Sequence, residues 1–79
     1  MITDQTTHTF AAVYQFTDSW WVGWLTDLPG ANGQGRTLEE ARASLREAAA
    51  ALVELGETPT QAAGDDLVNE GAVRESLTL

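Results

Sequence analysis

The chain has no cysteine and only one histidine among its 79 residues. Disulfide bonds and thiolate zinc sites are therefore excluded, and a metal site built from several imidazoles is not expected. A domain of this length buries only about 60% of the surface that its unfolded chain exposes. Because no cross-link supplements so small a core, association with another chain is a physical route to further stability.

Positive charge is also scarce, because the chain contains 12 acidic and only 4 basic residues, which gives a net charge of -8. Such a chain repels phosphate backbones, so direct nucleic-acid binding is not expected. The same charge favours a basic protein partner through electrostatic attraction. A simpler interpretation, that the charge only keeps a small protein in solution, stays open.

Long hydrophobic runs are missing, and no stretch approaches the ~20 apolar residues of a membrane span. Residues 1–5 lack the basic and apolar regions of a signal peptide. We therefore expect a cytoplasmic protein with no membrane association, and a single domain over residues 1–79 with an ordered core at about 7–56.

Two segments rich in aromatic and β-branched residues, 7–16 and 20–26, predict a pair of strands. The polar residues 17–19 between them predict a three-residue hairpin loop, which would place Phe16 opposite Trp20. The glycine-rich residues 32–35 predict a short third strand.

In this register both faces of the hairpin are apolar, although only one long helix is available to cover them. We expect the helix to cover the face with the small residues Ala11 and Gly23. The opposite face then becomes the candidate interface with a second copy or another protein, through Phe10, Tyr14, Phe16, Trp20, Val22 and Trp24. The alternative is that the faces are exchanged and these aromatic residues form the core.

A helix is predicted from Leu38 to about Leu55, because apolar residues recur there at helical spacing. Thr37 is a predicted N-cap, and Glu40 completes a capping box in which its carboxylate reaches the Thr37 amide. Gly56 is the predicted stop. The apolar side of the helix comprises Leu38, Ala41, Leu45, Ala48, Ala49 and Leu52.

Beyond this helix, residues 58–64 predict a short helical turn, 65–71 an acidic connection and 72–79 a final strand. The element order is thus β-β-β-α-β. It predicts an α+β fold in which a small antiparallel sheet of three to four strands carries one main helix on one face.

No residue pattern indicates catalysis, and no catalytic residue, metal site or cofactor is predicted. His8 lies near the chain end, where a solvated side chain is expected. The predicted hairpin strands contain no carboxylate that could hold Mg²⁺. Asp65, Asp66 and Glu70 lack the alternating pattern of a calcium loop.

A connected motif joins the hairpin to the helix: the turn Asp27-Leu28-Pro29-Gly30, then Gly35, then the helix start Thr37-Leu38-Glu39-Glu40-Ala41. Its spacing resembles that of the HicB-like antitoxin superfamily over residues 10–56. Three neighbouring positions depart from the family pattern, namely Thr26, Gly33 and Arg36. The structural positions of the motif are Asp27, Pro29, Gly30, Gly35, Thr37 and Glu40.

The resemblance implies a truncated ribonuclease H-like fold without nuclease activity. It also implies an antitoxin that neutralises a small basic HicA-like ribonuclease toxin by direct binding. The acidic tail after Gly56 is too short for the C-terminal DNA-binding module of many such antitoxins. We expect a homo-oligomer, a dimer or a tetramer. The alternative is a stand-alone, self-associating HicB-like domain with a regulatory or ligand-binding role and no toxin partner.

Overall fold

The computed structural model describes residues 8–57 and 71–79, and it contains one helix packed on a four-stranded antiparallel sheet. The strands lie in the order β3-β2-β1-β4, so the first hairpin is central. This α+β architecture with the order β-β-β-α-β confirms the predicted fold class. The elements are β1 (Thr9–Thr17), β2 (Trp20–Leu25), β3 (Asn32–Gly35), α1 (Leu38–Glu54) and β4 (Val73–Thr78). The predicted helical turn at 58–64 and almost all of the acidic connection lie outside the described residues, as do residues 1–7.

The β1–β2 hairpin has a two-residue loop, Asp18-Ser19, and the predicted three-residue loop is wrong. Thr17 remains in the strand opposite Trp20, and its hydroxyl donates to the Trp20 carbonyl at 3.4 Å. Asp18 takes a φ of 48°, as tight hairpin turns require and as aspartate tolerates better than most residues. This one-residue difference places Tyr14 opposite Gly23 and changes which residues share a face.

The core lies between α1 and one face of the sheet. β1 contributes Phe10, Ala12 and Tyr14 to it, each only 1% exposed. The Tyr14 ring covers the backbone of Gly23, its cross-strand partner, where a Cβ would lie 2.6 Å from the ring. The helix contributes the buried residues of its predicted apolar side, Ala41, Leu45 and Ala49.

The backbone of β3 lies directly against α1, because the two glycines that face the helix have no side chains. A Cβ on Gly33 would overlap the amide nitrogen of Leu45 and lie 2.7 Å from its Cα. A Cβ on Gly35 would lie 2.8 Å from the amide nitrogen of Ala41. Glycine at these two positions therefore sets the separation between helix and sheet.

The predicted helix ends are confirmed, with one difference in the capping box. The Thr37 hydroxyl accepts the Glu40 amide at 3.1 Å, but the Glu40 carboxylate accepts the Arg36 amide, at 2.8 Å, and not the Thr37 amide. The extended Thr37 backbone presents the preceding amide to this carboxylate. At the C-terminus, Gly56 has a φ of 98° and its amide donates to the Val53 carbonyl at 2.9 Å, which completes a glycine cap.

The turn between β2 and β3 is closed by the Ala31 amide, which donates to the Leu28 carbonyl at 3.2 Å. Gly30 has a φ of 99°, which this turn needs after proline. The preceding Asp27 does more than close a local turn, because its carboxylate accepts the backbone amide of Ala11 at 3.1 Å. The side chain thereby extends the pairing of β1 beyond the end of β2 and ties the turn to the central strand.

Two arginines of α1 reach over the sheet to β4. Arg42 donates to both oxygens of Glu75 at 2.9 and 3.0 Å, and Arg46 donates to the Thr78 carbonyl at 2.8 Å. The hydrogen bonds to Glu75 raise the pKa of the Arg42 guanidinium. These contacts fix the final strand to the helix across sequence separations of about thirty residues. None of the described helices is both long and apolar enough to cross a membrane.

Candidate docking surfaces

The sheet face turned away from α1 carries apolar and polar side chains on all four strands. No element among residues 8–57 and 71–79 packs on it. We call it the open face. The registers place on it Ala11, Val13 and Gln15 of β1, Trp20, Val22 and Trp24 of β2, Asn32 and Gln34 of β3, and Arg74 and Ser76 of β4.

Only half of the predicted aromatic interface lies on this face. Trp20, Val22 and Trp24 are there, and Trp20 is 43% exposed. Phe10 and Tyr14 lie under the helix, so their predicted place on the uncovered face is wrong. The cause is the hairpin register, because the two-residue loop shifts β2 by one position against β1.

Phe16 lies neither on the open face nor in the buried core under the helix. It lies on the helix side of the sheet at the loop end of the hairpin, where it is 52% exposed. Its ring contacts Trp21 edge to face, with the ring centroids 5.5 Å apart. Phe16 therefore forms an exposed aromatic contact on the side opposite to Trp20.

Among residues 8–57 and 71–79, the strand registers place no acidic residue on the open face, although the chain has a net charge of -8. Its charged member is Arg74, and Arg36 lies at its border with the guanidinium carbon 5.7 Å from the centre of the Trp20 ring. A cation at this distance is attracted to the face of the indole ring. The described part of this surface therefore combines indole rings with arginine side chains.

A shallow cavity of about 330 Å³ lies at one end of the open face, between β1 and β4. The residues that line it are Ala11, Ala12, Val13, Thr26, Arg74, Glu75 and Ser76. The lining side chains are mostly small, whereas the bulky Trp20 lies at the other end of the same face. The open face thus has a depression at one end and a projection at the other.

A separate surface, on the helix, carries exposed acidic side chains. Glu39, Glu47 and Glu54 are exposed along one side of α1, and we call them the acidic stripe. Arg42 and Arg46 lie on the neighbouring side of the helix and bind β4, and the charge of Glu39 also acts on Arg42. The molecule therefore presents two surfaces of different character, one acidic and one apolar.

No three His, Asp or Glu side chains among residues 8–57 and 71–79 lie close enough to hold a metal ion. His8 stacks on Phe10 with the ring centroids 6.1 Å apart. Burial, assisted by the negative charge of Glu75, raises the pKa of Tyr14, so its phenol stays protonated at neutral pH.

The structural motif residues all lie in the connection from β2 to α1. Asp27, Pro29 and Gly30 build the turn, while Gly35, Thr37 and Glu40 seat the helix start on β3. Their contacts support the scaffold and leave no motif side chain on the open face. Sequence reasoning missed Ala11, Ser76, Arg36 and Arg74 as surface residues, although the alternation along β4 places Arg74 and Ser76 on one side.

Comparison of the chain with protein-family models and with curated proteins found no match.

Proposed function

We propose that this chain is a non-catalytic protein-binding module that acts as a HicB-like antitoxin and neutralises a small basic ribonuclease toxin by direct binding. The proposal joins the motif resemblance over residues 10–56 to the charge distribution of the molecule. It requires a surface that attracts a basic protein, and it requires no reacting group.

The observation that carries the proposal is the acidic stripe on α1. Glu39 and Glu54 are separated by fifteen residues, so the stripe extends about 22 Å along the helix. Charges that line one rigid element attract an oppositely charged partner and raise its association rate. Because the stripe is exposed, this contribution weakens as salt rises.

Two motif residues, Gly35 and Thr37, together with the neighbouring Gly33, supply the rigid support for this surface. Gly33 and Gly35 hold α1 against β3, and the Thr37 cap fixes its start. Arg42 and Arg46 bind β4, so their guanidinium groups already have partners on the sheet. A rigid helix that carries exposed carboxylates is a suitable docking element, because little order has to be gained on binding.

The direct test is co-expression of the chain with the product of the adjacent reading frame, followed by pull-down and a growth assay. We expect co-purification, relief of toxicity and a complex that weakens with added salt. Absence of both co-purification and growth rescue would overturn the antitoxin proposal.

A pair of variants tests the role of the stripe. Glu47→Gln combined with Glu54→Gln should weaken the complex about three- to tenfold at low salt, because two attractive charges are removed. Asp18→Asn, which removes a carboxylate at the hairpin turn, should leave affinity unchanged. Equal losses in both variants would show that net charge, and not this helix face, attracts the partner.

The alternative function is a stand-alone, self-associating HicB-like domain with a regulatory or ligand-binding role. The apolar open face favours self-association. A chain that forms a stable homo-oligomer, has no toxin encoded beside it and rescues no growth defect would support this alternative.

A further inference from the structure

We propose that Asn32 is a site of spontaneous chemical modification, where attack by the amide of Gly33 converts the asparagine to aspartate or isoaspartate. Asn32 is exposed in β3, and the residue that follows it is the glycine that lies against α1. The Asn32 Nδ2, which is the leaving nitrogen, donates to the Gly30 carbonyl at 3.3 Å. The reaction needs water and no second protein, so the inference goes beyond the antitoxin proposal and does not depend on it.

The chemistry has two steps. In the first, the Gly33 nitrogen bonds to the side-chain carbonyl carbon of Asn32, the bond from that carbon to Nδ2 breaks, and ammonia leaves while the Gly33 amide proton passes to water. In the second, water opens the resulting succinimide ring at either carbonyl. One opening gives aspartate and the other gives isoaspartate, in which the main chain is longer by one methylene group. Overall, one water is consumed, one ammonia is released and one negative charge is added.

The glycine at position 33 favours this attack, because no side chain hinders the approach of its nitrogen to the Asn32 side chain. A residue with a Cβ would slow the attack, but the Cβ would overlap the Leu45 amide nitrogen. The close contact of strand and helix therefore requires the same residue that makes the preceding asparagine reactive. Asn69, the other asparagine of the chain, is followed by Glu70 and lacks this activation.

The fold restrains the reaction by holding the attacking nitrogen in the sheet. Gly33 is opposite Gly23 in the β2–β3 register, and the Leu25 amide donates to the Ala31 carbonyl at 3.4 Å. Bonded and non-bonded pairs alternate along antiparallel strands, so the Gly33 amide points to Gly23. Attack on the side chain therefore requires β3 to separate locally from β2, and the rate of modification follows the population of this opened state.

The two products differ in what they do to the fold. Aspartate at position 32 adds a carboxylate to the open face and leaves the main chain unchanged. Isoaspartate inserts a methylene group immediately before Gly33, whose backbone lies directly against Leu45 and opposite Gly23. The extra group displaces Gly33 from both neighbours, so only this product disturbs the contact between β3 and α1.

The test is peptide mapping of the purified full chain after incubation at mildly alkaline pH, either native or in guanidinium chloride. Trypsin cleaves after arginine and the chain has no lysine, so the two asparagines fall in separate peptides, 1–36 and 47–74. In the denatured chain, we expect Asn32 to convert at least about tenfold faster than Asn69. In the native chain, Asn32 should still convert, but at least about tenfold more slowly than in the denatured chain.

Three results would contradict the proposal. Equal rates for the two asparagines in the denatured chain would show that Gly33 gives no activation. Equal rates for Asn32 in both conditions would show that β3 gives no protection. Complete retention of Asn32 in the native chain would confine the reaction to unfolded protein.

A serine pair tests whether opening of β3 controls the rate. The Ser44 hydroxyl accepts the Gln34 amide at 3.2 Å and so fastens the outer edge of β3 to the helix. Ser44→Ala removes this bond and should speed the native conversion of Asn32 by about three- to tenfold. Ser19→Ala, in the hairpin loop, should leave the rate unchanged. Equal rates in the two variants would show that the edge of β3 does not control the reaction.

Two variants at position 32 identify the damaging product. Asn32→Gln should stay unconverted, because its longer side chain cannot close the same five-membered ring, and Asn32→Asp reproduces the aspartate product. We expect the aged natural chain to contain a fraction that unfolds at lower urea concentration than Asn32→Asp, and this fraction should carry the isoaspartate. An equal loss of stability in aged Asn32→Gln would place the damage elsewhere and refute the assignment to Asn32.

Discussion

Replacing Gly33 by alanine tests how closely α1 lies on β3. The added Cβ would overlap the Leu45 amide nitrogen and lie 2.7 Å from the Leu45 Cα. Both are helix backbone atoms, which cannot rotate away as a side chain could. The Gly33 backbone has no positive φ, so alanine alone would stabilise the chain by about 0.4–1 kcal/mol through the unfolded state. Overpacking opposes this gain and costs about 1–3 kcal/mol or more.

We therefore expect Gly33→Ala to lower the free energy of unfolding by about 2 kcal/mol. With a urea m-value of about 1 kcal/mol per molar, the midpoint should fall by about 2 M. Urea unfolding followed by circular dichroism measures this change, with all variants at the same low protein concentration because any self-association would add to the apparent stability. Gln34→Ala, in the same strand but on the open face, is the control and should shift the midpoint little. A midpoint for Gly33→Ala equal to or above that of the unmodified chain refutes direct contact between helix and strand.

Two further predictions concern Asp27 and Tyr14. Asp27→Asn should destabilise the fold by about 1 kcal/mol, because the Ala11 amide loses a charged acceptor. The control Asp18→Asn should lower the free energy of unfolding less, and the urea midpoints of the two variants measure the difference. An Asp27→Asn midpoint no lower than that of Asp18→Asn contradicts the role of the contact between Asp27 and Ala11. Burial, with the charge of Glu75, raises the pKa of Tyr14, so the unfolded chain loses the phenolic proton first and stability should fall as pH rises above about 10. The chain has one tyrosine, no cysteine and no lysine, so Tyr14→Phe should remove most of the decrease in the free energy of unfolding between about pH 9 and pH 11. An unchanged decrease would show that Tyr14 is not its cause.

The local elements of the fold could be predicted because their signals lie within a few residues of one another. Thr37 and Gly56 mark the two ends of α1, and both act as the sequence indicates. Pro29 and Gly30 predict the turn that the structure contains. The apolar spacing of the helix likewise predicts the buried side that contains Leu45. Short-range chemistry was sufficient for each of these features.

The candidate surface was only partly predictable, because it depends on the hairpin register. The polar residues 17–19 are compatible with a loop of either two or three residues. The choice depends on Asp18 adopting a positive φ, which the residue tolerates but does not require. The resulting shift placed Tyr14 in the core and left Trp20 on the open face.

The sequence by itself determined the element order, the helix ends and the excess of negative charge. Tertiary structure decided which side of each strand meets the helix and where Asp27 and Arg42 find their partners. The physical reason is that side chains alternate across a strand, so a single-residue change of register exchanges buried and exposed groups. Long-range packing selects the register, since it must bury Phe10 and Tyr14 while seating the helix on the glycines of β3.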